Sequence, residues 1–179
     1  VGKIDAGAVE LGAPVLGEAA TLSVEGRLEL AGGTGEAALE IRRAGRDDRL
    51  TLDAGFDNTT RVLRIDLDFD EAAGGLVART LRIPGTPALR LQVAGDAPLS
   101  DFEAQVSLQS DGARQLGGAV RIAATGTDDD GGYSFAADLD GDLRPLVATD
   151  LHPFFGVSVS LLLAGQALAD GRAAIERLR

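Results

Sequence analysis

The chain has 179 residues, 28 of them acidic and 17 basic, for a formal net charge of −11. That balance speaks against nucleic acid, which needs a basic footprint, and against simple electrostatic docking onto an anionic membrane surface. There is no cysteine and no tryptophan, and the aromatics are six Phe and one Tyr. Thiol catalysis, Cys–zinc sites and disulfides are excluded, and the apolar surface is aliphatic, with few polar handles for a small specific ligand.

Residues 3–11 read as a first strand of mostly small side chains, closed by turns at Gly12-Ala-Pro14 and Gly17-Glu18. Ala20, Leu22, Val24, Gly26, Leu28 and Leu30 then hold one phase, with Ser23, Glu25, Arg27 and Glu29 opposite. This predicts a strand about twice the usual length, with a bend or bulge at Gly26. Gly32-Gly-Thr-Gly35 is a turn. Ala37, Leu39 and Ile41 form the next strand. Gly45-Arg-Asp-Asp48 turns into Leu50, Leu52, Ala54 and Phe56, and Asp57-Asn58 turns again.

Residues 61–102 are the stretch around which the rest is organised. Leu63, Ile65, Leu67 and Phe69 point one way and Arg64, Asp66, Asp68 and Asp70 the other, a strand with one dry and one charged face. The pattern breaks at Glu71-Ala-Ala-Gly-Gly75. Leu76, Val77 and Leu81 follow at helical spacing, and Ile83-Pro-Gly-Thr-Pro87 stops the helical piece. Alternation resumes at Leu89, Leu91 and Val93, and Pro98-Leu-Ser-Asp101 turns it back.

Phe102, Ala104, Val106 and Leu108 give the next strand, and Ser110-Asp-Gly112 a turn. Leu116, Gly118, Val120 and Ile122 follow, then an acidic loop, Thr127-Asp-Asp-Asp-Gly-Gly132, and a strand carrying Tyr133, Phe135, Ala137 and Leu139. Leu143, Leu146 and Val147 at i, i+3 and i+4, with Pro145 in a first turn, predict a second short helix, closed by His152-Pro-Phe-Phe-Gly156. Val157, Val159, Leu161 and Leu163 form a strand. Residues 172–179 fit a strand or a helix. The apolar run 157–164 is too short to cross a membrane.

About ten strands joined mostly by short turns imply antiparallel neighbours and a single all-β segment spanning residues 1–179. A one-faced sheet must cover its dry face. Long aliphatic strands with few large side chains predict an elongated groove, a β-taco-like trough, with one or two short helical inserts. A closed β-sandwich or barrel shows the same alternation and stands as the alternative. The chain begins without Met and inside a strand, so it reads as a piece excised from a longer elongated protein.

The candidate groove lining is Leu63, Ile65, Leu67, Phe69, Leu89, Leu91, Val93, Val106, Leu108, Val120, Ile122, Phe135 and Leu139. No catalytic residue emerges. His152 is the sole histidine, beside a proline at a helix end, and no G-x-S-x-G elbow accompanies it. Asp128-Asp-Asp130 and Asp138-Leu-Asp-Gly-Asp142 are the acidic clusters. Counted from Asp138, the sixth and twelfth loop positions are Leu143 and Thr149, not the Gly and Glu of an EF-hand. These acids read as solvated turns, with no metal and no cofactor expected. Gly32-Gly-Thr-Gly35 and Gly74-Gly75 lack the companions of a phosphate loop. The chain reads as no enzyme.

A resemblance adds to this. A one-faced strand ending in Glu71 is followed by Gly74-Gly-Leu-Val-Ala78, Ile83-Pro-Gly-Thr-Pro87, Leu89-Arg-Leu-Gln-Val93 and Ala94-Gly-Asp-Ala-Pro-Leu-Ser-Asp-Phe102. Asp140-Gly-Asp-Leu143 and Phe154-Phe-Gly156 come later. In this order the pieces resemble the TamB family, translocation and assembly module subunits of the bacterial envelope, related to AsmA-like and bridge-like lipid transfer proteins. The resemblance implies an interior segment of an inner-membrane-anchored, periplasm-spanning protein. Such a protein moves phospholipid toward the outer membrane along an apolar groove that takes the acyl chains, and supports outer-membrane protein assembly. It implies an Omp85-class partner met through regions outside these residues. A non-catalytic scaffold acting by strand pairing is the alternative.

Overall fold

Alternation makes each strand one-faced, and each hairpin decides whether the faces of neighbours agree. The computed structural model describes residues 2–12, 19–125, 132–167 and 173–178. In it the hairpins agree throughout. Eleven strands pair antiparallel in strict chain order into one open sheet. They are β1 (Gly2–Leu11), β2 (Ala20–Ala31), β3 (Thr34–Arg43), β4 (Arg49–Asp57), β5 (Val62–Glu71), β6 (Leu89–Pro98), β7 (Asp101–Ser110), β8 (Ala113–Thr125), β9 (Gly132–Gly141), β10 (Val159–Ala167) and β11 (Ala173–Leu178). Among the described residues β1 and β11 do not pair, so the sheet is not a barrel, and no second sheet makes a sandwich.

The turns explain the fixed register. Gly32 and Gly33 both have positive φ, 58° and 87°, and join Ala31 to its partner Thr34. Asp111 and Gly112, at 49° and 78°, do the same between Ser110 and Ala113. Two positive φ values in a two-residue loop match the right-handed twist of the flanking strands. At Asp57 the side chain accepts the Thr59 and Thr60 N–H groups at 2.7 and 2.9 Å, and the chain folds back into β5.

Long connections lie at only one end of the strands. Residues 72–88, between β5 and β6, carry the helix α1 (Leu76–Thr80) where the spacing of Leu76, Val77 and Leu81 predicts it. Residues 142–158, between β9 and β10, differ from expectation. They form 3₁₀ turns at Arg144–Leu146 and Thr149–Leu151, and the single-turn helix α2 falls on His152–Phe155, the residues expected to close a helix. Val147 is extended (φ −125°, ψ 157°), which ends the first turn, while Pro153 near the start of α2 and Gly156 at φ 65° fix its limits.

Three further points concern strands, the first of them an open alternative now settled. Residues 173–178 are a strand, because β10 offers them an edge to pair with. β10 starts at Val159 rather than Val157. Gly26 carries no bulge: pairing of β2 runs unbroken past it on the β3 side, and the irregularity falls in β1, between Ala6 and Val9. The acidic residues 128–130 lie outside the described residues.

Few residues are deeply buried, among them the polar Asp48, Glu71, Ser110 and Gln115. Ala78, Ile83 and Leu89 cluster beneath the first insert, with Phe69 and Leu146 packed against them. Leu89 is 4% exposed whereas Leu30, far from the insert on the same face, is 70% exposed. Leu89→Ala is therefore expected to lower unfolding stability by about 2–5 kcal/mol and Leu30→Ala by no more than about 0.5 kcal/mol, read from paired urea denaturation curves.

Candidate functional site

Register turns thirteen separate residues into a surface. Phe69, Leu91 and Leu108 are cross-strand partners in one row, continued by Ile41 and Leu50 on one side and Leu116 on the other. Leu67, Val93 and Val106 form the next row, extended by Leu39 and Leu52 on one side and by Gly118, Leu139 and Leu161 on the other. Ile65 and Val120 lie in the third row, and Leu63, Ile122 and Phe135 in the fourth. All thirteen expected lining residues share this face. Twelve are half-buried and only Leu89 is buried. The outer strands leave Ile4, Leu28, Leu161 and Ile175 exposed on the same face.

The other face is charged and cross-linked in pairs. Arg90 and Gln92 donate to Asp68 at 2.8 and 2.9 Å, and Arg121 to Glu103 at 2.6 Å. The Arg90 hydrogen bond, with help from Gln92, holds the Asp68 carboxyl below its ordinary range.

Two observations show the apolar face to be concave. A flat sheet holds strands four places apart at about 19 Å. Yet Arg61, just before β5, donates from Nη2 to the Tyr133 hydroxyl of β9 at 2.5 Å. At the opposite strand ends Leu146, from the β9–β10 insert, packs on the cluster formed by the β5–β6 insert. The face is thus a trough with an insert rim and a turn rim. At the insert rim a cavity of about 480 Å³ is lined by apolar side chains alone, among them Leu50, Leu67, Leu91 and Leu108 from the sheet and Val77, Leu81 and Leu146 from the inserts. A second, of about 230 Å³, lies against Leu76 and Val77 of α1 and reaches Leu11, Leu22 and Ile41.

One side chain holds the first insert down. Glu71 falls in the apolar phase of β5, yet it is a carboxylate and only 2% exposed. It accepts the Val77 N–H at 2.7 Å and the Ala78 N–H at 3.0 Å, two of the amides that a helix start leaves without an internal partner. Gly75 is required beside it, because a Cβ there would overlap the Glu71 side chain. The roots of the insert are pinned too. Asp48 accepts the Ala72 N–H at 2.9 Å, Arg46 donates to the Ala73 carbonyl at 2.6 Å, and Asp111 accepts the Ala88 N–H at 2.9 Å. Arg43, also in the apolar phase, is paired with the buried Asp48 at 3.4 Å.

The sequence singled out none of these groups as functional. A signal existed for Glu71: an acid in the dry phase of a strand, followed by two glycines. For Arg61 and Tyr133 no local signal exists, since 72 positions separate them.

The remaining candidates are occupied with local structure. His152 Nε2 lies 3.3 Å from the Val147 carbonyl, which makes that nitrogen the donor. Asp140 pairs with Arg114 at 3.5 Å, and Asp142 accepts the Arg144 backbone N–H at 3.0 Å and its Nε at 2.8 Å. Among the described residues no three metal-ligating side chains cluster, and no helix is long and apolar enough to cross a membrane. In comparisons with known proteins, no family model, no curated protein and no solved structure matches the chain.

Two outcomes follow from these contacts. Glu71→Gln leaves one helix amide without its acceptor, at a cost of about 1–3 kcal/mol. Hydrogen exchange should accelerate at Val77 and Ala78 while the amides of β2 keep their rates. The Arg144 hydrogen bonds lower the Asp142 carboxyl from 3.8 to about 2. Because the folded value is the depressed one, the contact is complete above the ordinary value and disappears as pH falls through about 2. Carboxyl NMR titration should place the Asp142 midpoint there, and Arg144→Gln should return it toward 3.8.

Proposed function

We propose that this chain is an interior segment of an inner-membrane-anchored, periplasm-spanning protein that conducts phospholipid toward the outer membrane and supports outer-membrane protein assembly. Its role is non-catalytic. The observation that carries the reading is the unbroken set of apolar rows on one concave, half-exposed face of an open sheet. Each methylene removed from water there is worth roughly 0.8 kcal/mol. The rows run across the strands, so an acyl chain lying along one meets a similar side chain every ~4.8 Å. Near-equal positions allow sliding without deep traps. The TamB-like order of sequence pieces supplies the envelope context, with the Omp85-class partner met elsewhere in the longer protein.

A second reading, a scaffold that captures other strands by main-chain pairing, draws on the outer edges of β1 and β11, which have no partner strand among the described residues. Both strands carry a bulge, at residues 6–9 and beside Ile175. Bulged edges discourage open-ended pairing, so the lipid reading leads.

The test places a photocrosslinking residue at Leu91, inside the trough, and at Arg90 on the charged face, in the full-length protein within cells. Lipid adducts are expected at Leu91 and not at Arg90. Absence of lipid at both positions, with adducts to nascent outer-membrane protein at β1 or β11, would favour the scaffold.

A further inference from the structure

The insert rim carries charged side chains beside its apolar cavity. Its charged residues in the apolar phase, Glu71 and Arg43, are satisfied by the helix amides and by Asp48. The turn rim differs. Arg61 lies just before β5 at φ 54° and reaches the Tyr133 hydroxyl, whose residue shares the phase of Phe135 and Leu139, so its guanidinium stands at the edge of the apolar face. The carboxylate nearest to it in sequence on this turn, Asp57, lies in the opposite phase and is occupied by the Thr59 and Thr60 amides, whose hydrogen bonds lower its pKa. Among the described residues the hydrogen-bond partner of Arg61 is the neutral hydroxyl of Tyr133. This guanidinium is exposed, forms no ion pair among the described residues, and retains donors beyond the one used.

The surroundings define a ligand class. Tyr133 presents its ring to the apolar face and its hydroxyl to the rim, one row beyond Ile122 and Phe135. Leu63 and Phe102 continue the apolar surface on the Arg61 side. A guanidinium and a phenol side by side offer a planar set of donors suited to phosphate oxygens. Directly below them begins a surface that accepts only hydrocarbon. A free anion gains nothing from the second feature, and a neutral amphiphile gains nothing from the first.

We propose that Arg61 and Tyr133 form a receiving site for the phosphodiester of a phospholipid whose acyl chains lie on the apolar rows. This rests on the lipid reading above and adds to it the rim at which the headgroup is held. Binding exchanges the Arg61–Tyr133 hydrogen bond for bonds from both groups to the phosphate, so headgroup capture also loosens the bridge between the ends of β5 and β9.

The chain supplies its own reporter. Tyr133 is the sole tyrosine and there is no tryptophan, so intrinsic tyrosine fluorescence reads this position alone. The full chain is titrated with a short-chain phosphatidylglycerol below its micellar concentration, with a neutral diacylglycerol of the same chain length, and with inorganic phosphate. Binding is followed by Tyr133 fluorescence and, independently, by calorimetry. The phospholipid is expected to bind saturably and to shift the fluorescence. Arg61→Gln should weaken it about tenfold or more, as loss of a charged hydrogen bond implies. Arg61→Lys should restore part of the loss, and neutral lipid should bind both chains equally. Circular dichroism confirms that the variants stay folded. Equal phospholipid affinity in wild type and Arg61→Gln, with neutral lipid also bound, overturns the headgroup site and leaves the trough reading intact. Inorganic phosphate binding as tightly as phospholipid identifies a free-anion site and overturns the proposal. No binding of either lipid overturns it together with the lipid reading.

Discussion

A one-residue slip in any hairpin would turn a strand over and place charges among the leucines. Agreement of phase across the sheet is the constraint on which everything else depends. It holds from Ile4 in β1 through Gly26, Leu39, Leu52, Leu67, Val93, Val106, Gly118 and Leu139 to Leu161 in β10, one row crossing ten strands. Tight turns such as Gly32-Gly33 and Asp111-Gly112 enforce it, because their backbone angles leave no room for a different pairing.

An exposed apolar face of this size is costly in water, and the fold answers only in part. The β5–β6 insert covers the strand ends at one rim, where the deeply buried cluster of Ala78, Ile83 and Leu89 lies. The insert is a short helix that would not persist alone. Glu71 makes it persist by supplying acceptors for two amides from beneath, while Asp48 and Asp111 hold its ends. Beyond the insert the rows stay half-exposed. A face left so is suited to an apolar occupant, and the proposed one is the hydrocarbon of a lipid.

The two rims give the trough a polarity. At the insert rim the buried Glu71 and Asp48 carboxylates accept backbone amides and the cavity wall is apolar. At the turn rim a guanidinium and a phenol meet above the same rows. On the proposed reading an amphiphile lays its chains along the rows and its headgroup at the turn rim. The bulges in β1 and β11 keep the sheet from growing indiscriminately at its sides.

Most of the fold was legible in the sequence because alternation is a local property: Leu63, Ile65, Leu67 and Phe69 declare their common face without reference to any other strand. The insert at residues 72–88 was legible for the same reason, from a change of period and two prolines. The second insert was misread because Pro145 and the spacing of Leu143, Leu146 and Val147 suit an α-helix and a 3₁₀ turn alike, and the extended Val147 decides between them. Residues 173–178 became a strand only because β10 offered an edge. The sequence by itself thus determined the strands, their dry face and the aliphatic nature of the lining. Only the tertiary structure decided that the sheet stays open and concave, that Glu71 holds the helix of the insert from beneath, and that Arg61 meets Tyr133. The reason is physical: those outcomes depend on the accumulated coiling of many strands, and no residue pattern shorter than the sheet itself records it.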